Sequence, residues 1–206
     1  MVDRRARAEE TRRQLLDAAT RVFETSGYRA TSVAAITKEA ATAHGTFYLY
    51  FRNKEDVFGE VVQGLIVELY EHSFTSLGPP DGRLVVDRLE QRIAAFIETF
   101  AARPGIWRAL LEASLQSPEV AARWGEARAG LLRRIVEGWR HLVDTGVMAD
   151  DDFEVMADAL GGMLEWTALR SVVFGAAGAS VTDEHGNARP ELVATLTSLW
   201  IRAITG

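Results

Sequence analysis

Between Thr31 and Glu55 the chain sets two helix caps, Thr31-Ser32 and Asn53, around apolar residues at helical spacing. Val33 and Ile36 share one face of a short helix ending near Ala40, and Phe47 and Phe51, four apart, share a face of the next. So few residues separate the two helices that they must cross at a tight turn. From Ala8 to Thr25, Leu15, Leu16, Ala19, Val22 and Phe23 recur at helical spacing, and Ser26-Gly27 offers a stop. A longer helix therefore buttresses the short pair. No strand-type alternation of apolar and polar residues appears, so the expected fold class is all-α.

The rest of the chain reads as further helices. Asn53 caps a fourth helix continuing to about Leu77, where Gly78-Pro79-Pro80-Asp81-Gly82 stops it. Leu89, Ile93, Phe96 and Phe100 stripe a fifth, ended by Arg103-Pro104-Gly105. A sixth covers Ile106 to Leu115. Ser117-Pro118 opens a seventh, with Trp124, Leu131, Ile135 and Trp139, and Asp150 to Asp152 start an eighth with Phe153, Leu160, Met163 and Thr167. Gly175 to Ala188, rich in glycine and polar residues, is the expected mobile loop, and Pro190 to Thr205 closes the chain as an amphipathic helix. About nine helices follow, with a helix-turn-helix head at residues 1–52 and a helical body at 53–206. Gly161-Gly162 costs helix stability, which close approach of a neighbouring helix offsets. Helices eight and nine, the latter with Leu192, Leu196, Leu199, Trp200 and Ile204, are thus the expected dimer face, a core within one chain being the alternative.

Composition narrows the chemistry. The chain has no cysteine, which excludes disulfides, thiolate metal sites and thiol nucleophiles. Its four histidines lie far apart in sequence. Glu68 and His72 stand one helical turn apart without a third convergent ligand, so no metal or cofactor is expected. No catalytic arrangement stands out, and an enzyme is not expected. No apolar run spans a membrane and the N-terminus is charged, so a cytoplasmic protein is expected.

The net charge of −6 is unevenly spread: residues 1–55 hold ten Lys+Arg against seven Asp+Glu, and the remainder thirteen against twenty-two. The basic part includes the run Gly45-Thr46-Phe47-Tyr48-Leu49-Tyr50-Phe51-Arg52-Asn53-Lys54-Glu55. Thr46, Tyr48 and Tyr50 carry groups that donate to phosphate, and Lys54 opens a helix whose free backbone N–H groups favour an anion. Arg4, Arg5 and Arg7 read either as a minor-groove arm or as a disordered basic terminus.

With Thr11-Arg12, Leu15-Leu16-Asp17-Ala18-Ala19, Phe23, Gly27-Tyr28, Thr31-Ser32-Val33, Ile36 and Ala40, this run closely resembles the DNA-binding region of the TetR family of bacterial transcriptional regulators, over about residues 8–60. The resemblance implies a homodimer that binds double-stranded operator DNA through its head and is released by a small-molecule effector in the body. It places Ala43, His44, Gly45 and Thr46 where base edges are met, and Thr31, Ser32, Tyr48 and Lys54 at phosphate positions, with Tyr50 alongside. His44 reads as either a base contact or a solvated histidine. Three positions depart from the family pattern. Thr37 replaces alanine; Ala41 replaces glycine, implying that the turn needs no left-handed residue; Thr42 replaces valine and can hide its methyl or cap the helix.

A regulator also needs a pocket. Phe96, Phe100, Trp107, Trp124, Trp139, Met163, Trp166 and Thr167 are the candidates, with an ordinary core as the alternative for the aromatics. Glu112, Glu165 and Arg170 either orient a ligand or face solvent or a partner. The reading is a ligand-responsive repressor released by an apolar or aromatic effector. The alternative is a helical module, binding a small molecule or a protein partner, whose head no longer binds DNA.

Overall fold

Helix α1 (Val2–Ala30) breaks at Gly27, whose φ of 75° turns the chain toward α2 (Val33–Glu39) and α3 (His44–Phe47). In the computed structural model, which describes residues 2–70, 85–144, 151–175 and 180–205, these are followed by α4 (Lys54–Tyr70), α5 (Val85–Ala101), α6 (Pro104–Gln116), α7 (Pro118–Asp144), α8 (Phe153–Phe174) and α9 (Pro190–Thr205). The described residues are all-α; their sole β-type pairing is an isolated bridge between Thr182 and Ala188. No helix among them is long and apolar enough to cross a membrane. None of their His, Asp and Glu side chains group in threes able to hold a metal.

Several caps fall where expected. Ser32 Oγ accepts from Ala35 N at 3.2 Å, Asn53 Oδ1 from Asp56 N at 2.8 Å, Ser117 Oγ from Val120 N at 3.3 Å and Asp152 Oδ1 from Val155 N at 3.2 Å. The continuation of helix four to Leu77, its Gly-Pro stop and His72 lie outside the described residues.

The chain forms two compact units that interleave in sequence, residues 1–65 with 103–125, and 66–102 with 126–206. Phe23, Tyr28, Ile36, Phe47, Phe51, Phe58 and Trp107 form the core of the first. Here α6 packs along α1, and two carboxylates tie them reciprocally. Glu24 of α1 accepts from Gly105 N and Ile106 N, both at 2.8 Å, capping an α6 N-terminus that has no side-chain cap of its own. Glu112 of α6 accepts from Tyr28 N at 2.9 Å and Arg29 N at 3.1 Å, just past the Gly27 break. The approach is so close that a Cβ on Gly105 would lie 1.9 Å from the Glu24 carbonyl oxygen.

In the second unit α5 packs on α8 and α9. Arg128 of α7 is bidentate to Glu165 of α8 at 2.9 and 2.8 Å and reaches Asp158 at 2.6 Å. Burial pushes the Glu165 carboxyl up despite that guanidinium. A Cβ on Gly161 would sit 3.0 Å from Leu132 Cδ2 of α7, so the Gly161-Gly162 pair serves the α7–α8 approach. Leu196 and Trp200 are buried in this core, which removes them from the expected dimer face. The described part of the expected mobile loop is a hydrogen-bonded turn: Asp183 Oδ1 accepts from His185 N and Asn187 N, both at 2.9 Å, and Arg189 N donates to Val181 O at 3.0 Å.

Candidate nucleic-acid interface

The turn between α2 and α3 is closed by Ala40 N to Ile36 O at 2.9 Å and Thr42 N to Thr37 O at 3.0 Å. To make it, Ala41 adopts φ 51°, the left-handed region. This corrects the expectation that an alanine here signals no need for a left-handed residue: the turn imposes the conformation and alanine bears its cost. Thr37 donates its hydroxyl to Val33 O at 3.1 Å and fits the buried face of α2. Thr42 does not cap α3. Ala43 occupies the cap position, in extended conformation with no side-chain bond, and Thr42 Oγ1 is buried without a partner among the described residues.

Helix α3 is a single turn that ends at Phe47, short of Phe51, which was expected to share its face. Beyond Phe47 the chain tightens into turns, with Leu49 N bonding Thr46 O at 3.2 Å and Tyr50 N bonding Phe47 O at 3.0 Å. Phe47 and Phe51 meet in the core at 5.5 Å and hold the segment down. Ala43, His44 and Gly45 consequently stand exposed at the leading edge, with Thr46 half-buried. His44 lies edge-on to Tyr48 at 5.6 Å, and Tyr48 is 54% exposed. Tyr50 is half-buried. Ser32 is exposed, and while its oxygen caps α2 its hydroxyl proton remains available to a phosphate.

Two expected phosphate residues are occupied internally. Thr31 is buried and donates its hydroxyl to Gly27 O at 2.6 Å, bracing the α1 break. Lys54 donates to Tyr28 O at 3.0 Å, with its ammonium 4.3 Å from the Tyr28 ring centroid. Tyr28 in turn donates to Glu55 at 2.9 Å, and burial, reinforced by Glu55, raises its phenol above the ordinary tyrosine range. Asp56 is held down at about 2, chiefly by Arg52 and also by Arg123 of α7. The N-terminal arginines belong to a helix: α1 runs from Val2, and Arg5 pairs with Glu9 at 3.4 Å.

Sequence reasoning missed Glu24 and Arg123 as positioning groups, and left Glu112 open where the structure makes it a backbone acceptor. Glu112 had a signal, a carboxylate on an apolar helix; Glu24 had none, because its partners lie about eighty residues on. The pocket candidates divide between the two units. Trp107 and Trp124 meet edge-on at 5.9 Å in the first unit. Phe96 and Phe100 stack at 5.8 Å, and Trp139 lies against Phe153, in the second. Met163 is half-buried and Thr167 donates to its carbonyl at 2.8 Å. Trp166 departs most from a lining role: it is 57% exposed beside Phe174, which is 61% exposed.

Comparison with known proteins agrees with this geometry. Residues 15–61 match the family model of bacterial regulatory proteins of the tetR family. The HTH-type transcriptional regulator EthR of Mycolicibacterium smegmatis is 28% identical over 93% of this chain and 85% of its own length. Among solved structures, a regulator assigned to the TetR family from Mesorhizobium loti superposes with a TM-score of 0.79 at 21% identity, covering 97% of this chain and 99% of that one. The transcriptional regulator FadR of Bacillus subtilis in complex with stearoyl-CoA gives 0.71 at 20% identity, over 93% and 98%. Such relatives are transcriptional regulators rather than enzymes. Residues 15–61 thus carry the DNA-binding domain of the tetR family of bacterial regulatory proteins, and the nine described helices share the fold of regulators assigned to that family.

Proposed function

We propose that the protein is a ligand-responsive repressor that binds a pseudo-palindromic operator as a homodimer, with two α3 segments in successive major grooves about 34–36 Å apart. The exposed, rigidly seated Ala43-His44-Gly45-Thr46 edge carries this reading. His44, Gly45 and Thr46 meet base edges, while Ser32, Tyr48 and Tyr50 clamp phosphate. Lys54 adds its charge to the clamp through the field at the start of α4, or by exchanging the Tyr28 carbonyl for a phosphate.

The exposed pair Trp166 and Phe174 on α8 supports a dimer face there, since large aromatics in contact at a surface favour association. Phe96, Phe100, Trp139, Met163 and Thr167 surround the effector reading of the second unit; Trp107 and Trp124 serve the first. FadR's complex with stearoyl-CoA supports an apolar effector for a body of this fold. Helix α4 begins in the first unit and ends in the second, which supports it as the transmitting element. A hundredfold release needs about 2.7 kcal/mol of coupling.

Genome-wide affinity selection of DNA fragments by the purified protein, with salt titration of the best fragment, tests the reading. A palindromic site with affinity falling steeply in salt is expected; no enrichment over random DNA refutes it.

A further inference from the structure

On α9 of the second unit the Thr197 hydroxyl oxygen and the Trp200 indole nitrogen are sealed from solvent without a hydrogen-bond partner among the described residues. Both residues lie on α9, three apart and therefore on one face, and that face is interior: Thr197 is 2% and Trp200 5% exposed. Trp139 of α7 stands edge-on to the Trp200 ring at 6.1 Å and to Phe153 of α8 at 5.9 Å. Protein cores pair buried polar groups almost without exception, so two orphans on one face call for an explanation. An indole N–H can only donate, and a hydroxyl can donate or accept. On this interior face, with Trp200 set against the Trp139 ring, the pair lacks one thing, an acceptor.

We propose that Thr197 and Trp200 form the polar anchor of the effector site, receiving a carbonyl-type oxygen of a neutral ligand whose apolar body lies against Trp139 and Phe153. The proposal rests on the reading of the second unit as the effector-binding part and names the chemistry it selects. The aromatic partners at the anchor are uncharged, so a ketone, ester or amide suits it better than a carboxylate. The closed packing denies both donors a partner; a ligand that parts the rings supplies one. The two hydrogen bonds formed only on opening are the differential interaction that favours the ligand-bound arrangement.

Acetophenone and ethylbenzene, matched in shape but differing in the acceptor, are titrated into the full-length protein by ligand-observed NMR. Acetophenone should bind about tenfold more tightly, the effect of a well-made buried hydrogen bond. In T197V the preference should fall, and in T197V/W200F it should shrink to below about twofold with ethylbenzene binding retained. The T197V result stands alone if the double variant does not fold. Equal affinities in the wild type, no binding of acetophenone, or an undiminished preference in T197V each overturn the anchor. A preference that follows the two side chains, with acetophenone leaving DNA affinity untouched, supports the anchor and refutes the effector reading.

Discussion

Replacing Gly105 with alanine should separate α6 from α1. The new Cβ would lie 1.9 Å from the Glu24 carbonyl oxygen, so the helices must part by about 1 Å to restore a tolerable 3.0 Å contact. That displacement takes the two 2.8 Å bonds from Glu24 to Gly105 N and Ile106 N beyond 3.5 Å, where they no longer count as hydrogen bonds. Two charge-assisted bonds contribute about 1.5–3 kcal/mol each, while alanine returns about 1 kcal/mol of helix propensity. A net loss of about 2–5 kcal/mol follows, a large share of a typical domain's stability. Urea unfolding followed by far-UV circular dichroism measures it. Glu24→Gln, which keeps the shape and removes the charge, should lose less, about 1 kcal/mol. A Gly105→Ala protein within 0.5 kcal/mol of wild type, on the scale of an ordinary surface change, would refute the claim that the α1–α6 contact is rigid.

Ala41→Gly should stabilise the head by about 0.5–1 kcal/mol, the left-handed strain relieved less glycine's extra unfolded-state entropy, and Ala41→Val should destabilise it; paired urea melts decide. Asp56 has its carboxyl held at about 2, below the ordinary 3.8, so its stabilisation is complete above about pH 4 and disappears as pH falls toward 2. Asp56→Asn should flatten that part of the stability profile, and an unchanged acid limb would contradict the Arg52 and Arg123 pairing. Arg128→Met leaves Glu165 without its partner and should cost about 1–3 kcal/mol at neutral pH, with partial recovery on acidification as the carboxyl protonates. Tyr48→Phe should weaken binding to specific and random DNA alike, whereas His44→Ala should change which sequence is preferred; equal loss on both DNAs for His44→Ala removes it from base reading.

Local chemistry was legible before the structure. Caps at Ser32, Asn53, Ser117 and Asp152 depend on residues within a turn of one another, and each bonds where its spacing implies. The helix-turn-helix was legible for the same reason, since Phe47 and Phe51 fix their own segment. What failed depended on partners distant in sequence or on backbone demands that override preference. Ala41 shows the second: its left-handed φ is set by the hydrogen bonds closing the turn, which outweigh an alanine's reluctance. Lys54 shows the first, since nothing near it reveals that its ammonium serves Tyr28; Thr31 shows the second, its hydroxyl taken by the carbonyl of Gly27, where the backbone breaks four residues earlier. Trp166 lies at the surface because α8 is apolar nearly all round, and a helix without a polar side does not say which way it faces; α9 does have a polar side, but an apolar face does not say whether it meets its own chain or a partner, and Trp200 lies in the core.

The reciprocal carboxylates between α1 and α6 bear on how the gene for such a protein can be recombined. A fragment ending at residue 52 carries Glu24 without the amides it caps, and the Tyr28 and Arg29 amides without Glu112. A head grafted onto a relative's body should function only if residues 103–125 travel with it, with crossovers at the unit boundaries rather than after the recognition turn. The DNA-reading part of this chain is thus inherited in two pieces, and shuffling that keeps both should yield soluble hybrids where a single cut after Arg52 yields aggregates.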